Sequence, residues 1–144
     1  MAWVLYDNMI LLQHNGGAID FDTDTINCML VTSAYTPNKA THDYRDDLGA
    51  TEVSGSGYSA GGKALAAKSV ALSTAVVTFD AGNVTWSQDA SGFADAKYAV
   101  LYKSTASTAT DGLIAYADIG SSKGNVAGDL TLEMSVSGIF TATN

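Results

Sequence analysis

The chain has 144 residues, 47% of them hydrophobic and 15% charged, with 7 basic and 15 acidic side chains for a net charge of −8. That length fits one domain spanning residues 1–144, and ordinary hydrophobicity argues against a disordered chain. The basic residues are scattered singly from Lys39 to Lys123, without the basic stripe that nucleic acid or an anionic lipid surface requires, so no nucleic-acid and no membrane partner is expected.

In chain order, the first dozen residues predict a short amphipathic helix, with Leu5, Met9 and Leu12 on one face, stopped by Gly16-Gly17. Ala18 to Asp22 alternates, and Ile26 to Thr32 is an apolar run with the length of a buried strand. Tyr35 to Gly49 is a polar loop carrying the one proline, Pro37, and Thr41 is placed to cap a single helical turn over His42 to Arg45. Beyond Glu52 short β segments are expected at Tyr58–Ala60, Ala64–Leu72, Ala75–Phe79, Asn83–Ser87, Lys97–Lys103, Leu113–Ile119, Gly128–Val136 and Ile139–Ala142. Turn signals such as Asp80-Ala81-Gly82-Asn83 and Asp111-Gly112 separate them at sandwich or barrel spacing, and no βαβ rhythm appears. The expected fold is all-β: a single antiparallel β-sandwich or jelly-roll-like domain with a short N-terminal helix.

One cysteine, Cys28, excludes an intrachain disulfide and sits in an apolar run as a small hydrophobe would. The N-terminus lacks a basic region before its apolar stretch, and no apolar run has the length of a membrane span. Folding in a reducing cytoplasm is expected.

Few residues group as chemistry demands. Asp20, Asp22 and Asp24 have the spacing that opens a calcium loop, but Thr25 stands where glycine is needed and Val31 where a bidentate carboxylate is needed. A polar turn is the plainer expectation. His42 with Asp46 could share a helical face as metal ligands, yet the other histidine, His14, lies in a separate glycine-bounded segment. Gly55-Ser56-Gly57 and Gly61-Gly62-Lys63 lack the spacing of a phosphate loop. Trp3, Trp86 and the tyrosines could form a sugar-stacking platform, although alternating aromatics such as Phe79, Trp86, Tyr98 and Tyr102 suit core and cross-strand pairs better. No catalytic, cofactor-binding or metal residue is expected.

Several stretches taken in order carry a resemblance. They are Asp22 to Ile26, Leu30 to Pro37, Ala40 to Asp47, and Glu52 to Leu65 with its tyrosine-glycine-glycine-lysine stretch (Tyr58, Gly61, Gly62, Lys63). Val77 to Asp80, Val84 to Trp86, Lys97 to Lys103 and Gly138 to Thr141 complete the set. Together they resemble a family of small structural proteins of tailed bacteriophages and prophages associated with head decoration (cement proteins). The resemblance implies a virion protein made in the host bacterial cytoplasm, carried on the capsid exterior and bound to the major capsid protein, with no enzymatic activity and no cofactor.

Capsid lattices present threefold and quasi-threefold positions, so a homotrimer is the expected assembly. The low charged fraction agrees with subunit faces packed together. Tyr35, Tyr44 and Arg45 in the long loop are the expected capsid contacts, being residue types that dominate binding hot spots. The alternative is that the loop only covers the end of the sandwich or meets a sister subunit. Two other classes fit the same composition: a tail-associated or carbohydrate-binding β-sandwich module, and a metal-dependent hydrolase built around His42.

Overall fold

A computed structural model describes residues 1–135 and 137–143. The elements are β1 (Trp3–Leu5), α1 (Asp7–His14), β2 (Ile26–Thr32), a 3-10 turn (Arg45–Leu48), β3 (Lys63–Ala64), β4 (Ser69–Ser73), β5 (Val76–Asp80), β6 (Val84–Trp86), β7 (Ala96–Lys103), β8 (Leu113–Lys123), β9 (Leu130–Leu132) and β10 (Phe140–Thr143). The protein is all-β with antiparallel sheets and one short α-helix, in a sandwich-like arrangement.

One layer is a five-stranded sheet in the order β1-β8-β7-β2-β3. Facing it are two smaller sheets, β10-β5-β4 and β6-β9. Alternation along the central strands sorts side chains between two cores. Cys28, Leu30, Ala99, Leu101 and Ala115 point into the main core, where they meet Phe79, Val84, Trp86, Leu132 and Ile139 of the facing layer. Met29, Val31, Val100 and Tyr102 point the other way, into a second core closed by Tyr6, Tyr35 and Leu48. Antiparallel sheets commonly leave one face wet. Here β2 and β7 are covered on both faces, which explains the unbroken apolar run Cys28 to Val31. A register shift between Leu101 and Tyr102 pairs Tyr102 with Leu113 and Leu101 with Ala115, so Ile114 is the extra residue of a bulge.

Several expected elements are corrected. The N-terminal segment is not helical from its start: Trp3–Leu5 pairs with β8, placing Trp3 opposite Ala117 and Leu5 opposite Ala115, and the helix begins at Asp7. An open sheet edge outweighs helical periodicity there, because Trp3 and Leu5 reach the main core from it. Ala18 to Asp22 is a turn, since Asp20 Oδ1 accepts the backbone N–H groups of Asp22 and Thr23. Tyr58–Ala60 is not a strand but links two turns, closed by Tyr58 N–H to the Gly55 carbonyl and by Gly62 N–H to the Ser59 carbonyl, among glycines at positive φ. Ala64–Leu72 divides into β3 and β4 around Ala67, itself at φ 49°. The helical turn in the long loop lies three residues later than expected, over Arg45–Leu48, because Asp47 rather than Thr41 caps it: Asp47 Oδ2 accepts from the backbone N–H of Asp43 (2.8 Å) and Tyr44 (3.0 Å). The segment expected over Gly128–Val136 is the shorter β9, and Val136 lies outside the described residues.

Candidate functional site

The long loop lies on the outer face of the five-stranded sheet and is tied to it by an aromatic chain. Tyr35 is buried, with its ring edge-on to Tyr98 at 6.0 Å. Its hydroxyl lies 2.7 Å from the Tyr6 hydroxyl and 2.8 Å from His42 Nδ1. Tyr6, at 0% exposure, packs against Tyr116 with ring centroids 5.3 Å apart. Burial is the main cause that raises both phenols, pushing Tyr35 up to about 12 and Tyr6 further.

Arg45 is committed inward as well. Its Nε lies 3.0 Å from Asp111 Oδ2, Nη1 donates to the Tyr102 hydroxyl at 2.9 Å, and the guanidinium sits 5.0 Å from the Tyr102 ring centroid. Asp111 is buried and also accepts from the Thr105 backbone N–H (2.6 Å) and hydroxyl (2.8 Å). Tyr44 is half-buried, forms an isolated bridge with Gly112 and leads into the 3-10 turn. Of the three contact candidates, then, Tyr35 and Arg45 hold the loop down. The exposed crest of the loop consists of Thr36, Asn38 to Thr41, Asp46, Asp47 and Gly49.

The tyrosine-glycine-glycine-lysine stretch is likewise architectural. Tyr58 donates to Glu52 Oε1 at 2.8 Å and accepts from the Leu30 backbone N–H at 3.0 Å. Gly61 N–H donates to the same Glu52 oxygen, and its carbonyl accepts from the Tyr102 hydroxyl at 2.8 Å. Gly62, at φ 76°, lies so close to the β2 backbone that a Cβ would overlap the Cys28 carbonyl. Lys63 Nζ reaches the Thr85 carbonyl at 2.6 Å and lies over the Trp86 ring. The stretch fastens β3 to β2 and the facing sheet to both.

The candidate metal residues serve as structural caps. Asp24 Oδ2 accepts from the Asp20 backbone N–H and pairs with Lys103 at 2.8 Å, while Lys68 donates to the carbonyls of Asp22 and Asp24. Hydrogen bonds from Thr23, then Asp22, hold the Asp20 carboxyl below its ordinary range. His42 faces Tyr35, and His14 ends α1. Among the described residues no group of three or more His, Cys, Asp or Glu is placed to hold a metal ion. Cys28 is fully buried, and desolvation pushes its thiol up to about 12, the behaviour of a packed hydrophobe rather than a nucleophile.

Nor do the large aromatics form a sugar platform. Trp86 is 0% exposed and stacks on Tyr58 (centroids 6.1 Å apart, planes at 22°), while Phe79 and Phe140 stack at 4.3 Å beside Phe21. These rings are core.

Sequence reasoning missed a different surface. In the sheet β10-β5-β4, every residue of β4 is exposed, with Leu72 at 73% and Val70 at 43%. Nearby on α1, Ile10 and Leu11 are also exposed. The available signal was the absence of any ionisable side chain from Ser69 to Phe79 and from Met134 to the end of the chain. No helix among the described residues is long and apolar enough to cross a membrane. No family model, no curated protein and no solved structure matches the chain.

Proposed function

We propose that this chain is a non-enzymatic structural protein of a tailed-phage virion, which binds the outer face of the major capsid protein lattice as a homotrimer and stiffens the shell. It is made in the host bacterial cytoplasm and ends on the capsid exterior. One observation carries the reading most directly: on a chain of net charge −8, the edge strands β4 and β10 of one sheet carry no ionisable side chain, and β4 leaves Val70 and Leu72 exposed to solvent, the kind of patch that marks contact between proteins. Supporting it are the resemblance that runs along nearly the whole chain and the five-stranded sheet packed on both faces, a body suited to bearing load. Weak individual contacts suffice for a trimer, because linked sites raise the effective concentration of one another.

The test is a comparison of virions made with and without the gene for this chain. Loss of regularly spaced density from the outside of the head is expected. Unchanged heads, with density missing from the tail instead, would favour a tail-associated module.

A further inference from the structure

The β4–β5 hairpin turns through Thr74 and Ala75, at φ 48° and 65°, the mirror-image two-residue turn whose twist matches its strands. In that turn the flanking pair, Ser73 and Val76, is hydrogen-bonded, so Ala71 and Ser69 also bond toward β5. The backbone groups of Val70 and Leu72 therefore point to the open side of β4. β10 forms the opposite edge of the same sheet, with Thr141 to Thr143 exposed.

Monomeric proteins protect such edges with lysine, proline or bulges. Neither SVALS nor FTAT carries any of these. The paired row Leu72, Val77 and Ala142 extends beyond Phe79 and Phe140, which enter the core. Beside it lies an open cleft of about 460 Å³ lined in part by Gln13, Asp20, Val70, Val77 and Ala142, with Asp20 at its far side from Ile10, which adjoins Ala142.

We infer that a second copy of this chain covers this sheet: the β4 edge of one copy pairs with the β10 edge of the next, Leu72 enters the neighbouring cleft beside Ile10 and Ala142, and three copies close a ring. This deepens the homotrimer part of the function proposed above and rests on it. Two features single out a copy of the chain as the occupant. Bringing together two bodies of charge −8 requires a strip without carboxylates, and β4, β10 and β5 as far as Phe79 form one, bordered by Asp80 at the end of β5 and Asp20 across the cleft. The sheet also carries two free edges of nearly matched length, five and four residues. Pairing β4 with β4 about a twofold axis would leave β10 bare, whereas head-to-tail pairing engages both edges of every copy, the arrangement that the threefold ring of the proposed function requires.

Light scattering of the full chain, with hydrogen exchange, tests this. Three chains of 14.9 kDa give about 45 kDa for the native protein, and the Val70 and Leu72 amides should exchange at least about tenfold more slowly than in a monomer. Val70→Pro removes an outward N–H, and Leu72→Lys places a charge in the neighbour's cleft while leaving the core untouched. Each should give a chain of about 15 kDa with native circular dichroism. A native protein at monomer or dimer mass overturns the proposal, as do two variants that both remain at about 45 kDa. Binding to undecorated heads separates the two claims. Variants that stay trimeric while native protein decorates heads remove the edge assignment alone; variants that dissociate while native protein ignores heads remove the capsid role alone.

Discussion

The hydroxyls of Tyr6 and Tyr35, 29 positions apart in the chain, meet at 2.7 Å beneath the long loop. Tyr6 ends the N-terminal strand segment and Tyr35 opens the loop, so this one contact joins the edge of the sheet to its cover. Tyr35→Phe removes it together with the bond to His42 and leaves a fully buried Tyr6 hydroxyl without its partner. The expected loss is about 1–3 kcal/mol, read as a drop of several degrees in the thermal midpoint. His42→Ala, at the half-buried end of the chain, should cost less.

Arg45→Ala leaves the Asp111 carboxylate buried with only the Thr105 groups to bond it. Allowing for the 23% exposure of the Arg45 side chain, the loss should be about 3 kcal/mol in urea unfolding. Adding Asp111→Asn should restore part of it by removing the unpaired charge. Consequently Arg45→Ala confounds folding with capsid binding, and Tyr44→Ala is the cleaner probe of the loop.

Two glycines at positive φ should respond very differently to alanine. At Gly49 (φ 61°) a Cβ meets nothing within 4 Å, so only the backbone conformation is penalised, by about 1 kcal/mol. At Gly62 the same atom runs into β2, and soluble expression of Gly62→Ala should collapse. Equal yields and equal midpoints would show that the glycine-glycine stretch does not fasten β3 to β2.

Much of the sheet architecture was legible. The Ile26–Thr32 run and the segments at Lys97–Lys103 and Leu113–Ile119 all fall in or on strands. The apolar run through Cys28 to Val31 read as a buried strand, but nothing local identifies its cover on the outer face as the chain's own polar loop. That depends on Tyr35 and Arg45 reaching partners far away in sequence. Tyrosine and arginine serve equally as hot spots and as anchors, so residue type could not separate the two roles. The open sheet was hidden for a related reason: Val70 and Leu72 look like core residues in any alternating strand, and their exposure follows from β4 lying at an edge.

Stability should be greatest between mildly acidic pH and about pH 10. Tyr35, and in the same direction Tyr6 and Tyr58, hold their protons in the folded chain at pH values where the unfolded chain has lost them. Their contribution is complete below the ordinary value of 10.0; that of Tyr35 disappears as pH rises through about 12, and those of Tyr6 and Tyr58, raised further by burial, at higher pH still. Asp47, held low by the backbone N–H groups of Tyr44 and then Asp43, and Asp118, held low chiefly by Lys97, act in the opposite direction. Their contribution is present above 3.8 and is lost as pH falls below it. Denaturation midpoints measured across pH, with phenolate absorbance followed in parallel, should show tyrosine ionisation coinciding with unfolding at the alkaline end.

The most direct measurement is the addition of purified protein to undecorated heads, followed by cryo-electron microscopy and a heat-release assay of the packaged genome. Decoration predicts added density on the outer face at threefold and quasi-threefold positions, together with heads that retain their genome to a higher temperature. Folded, trimeric protein that leaves the outer face bare and the release temperature unchanged would contradict it.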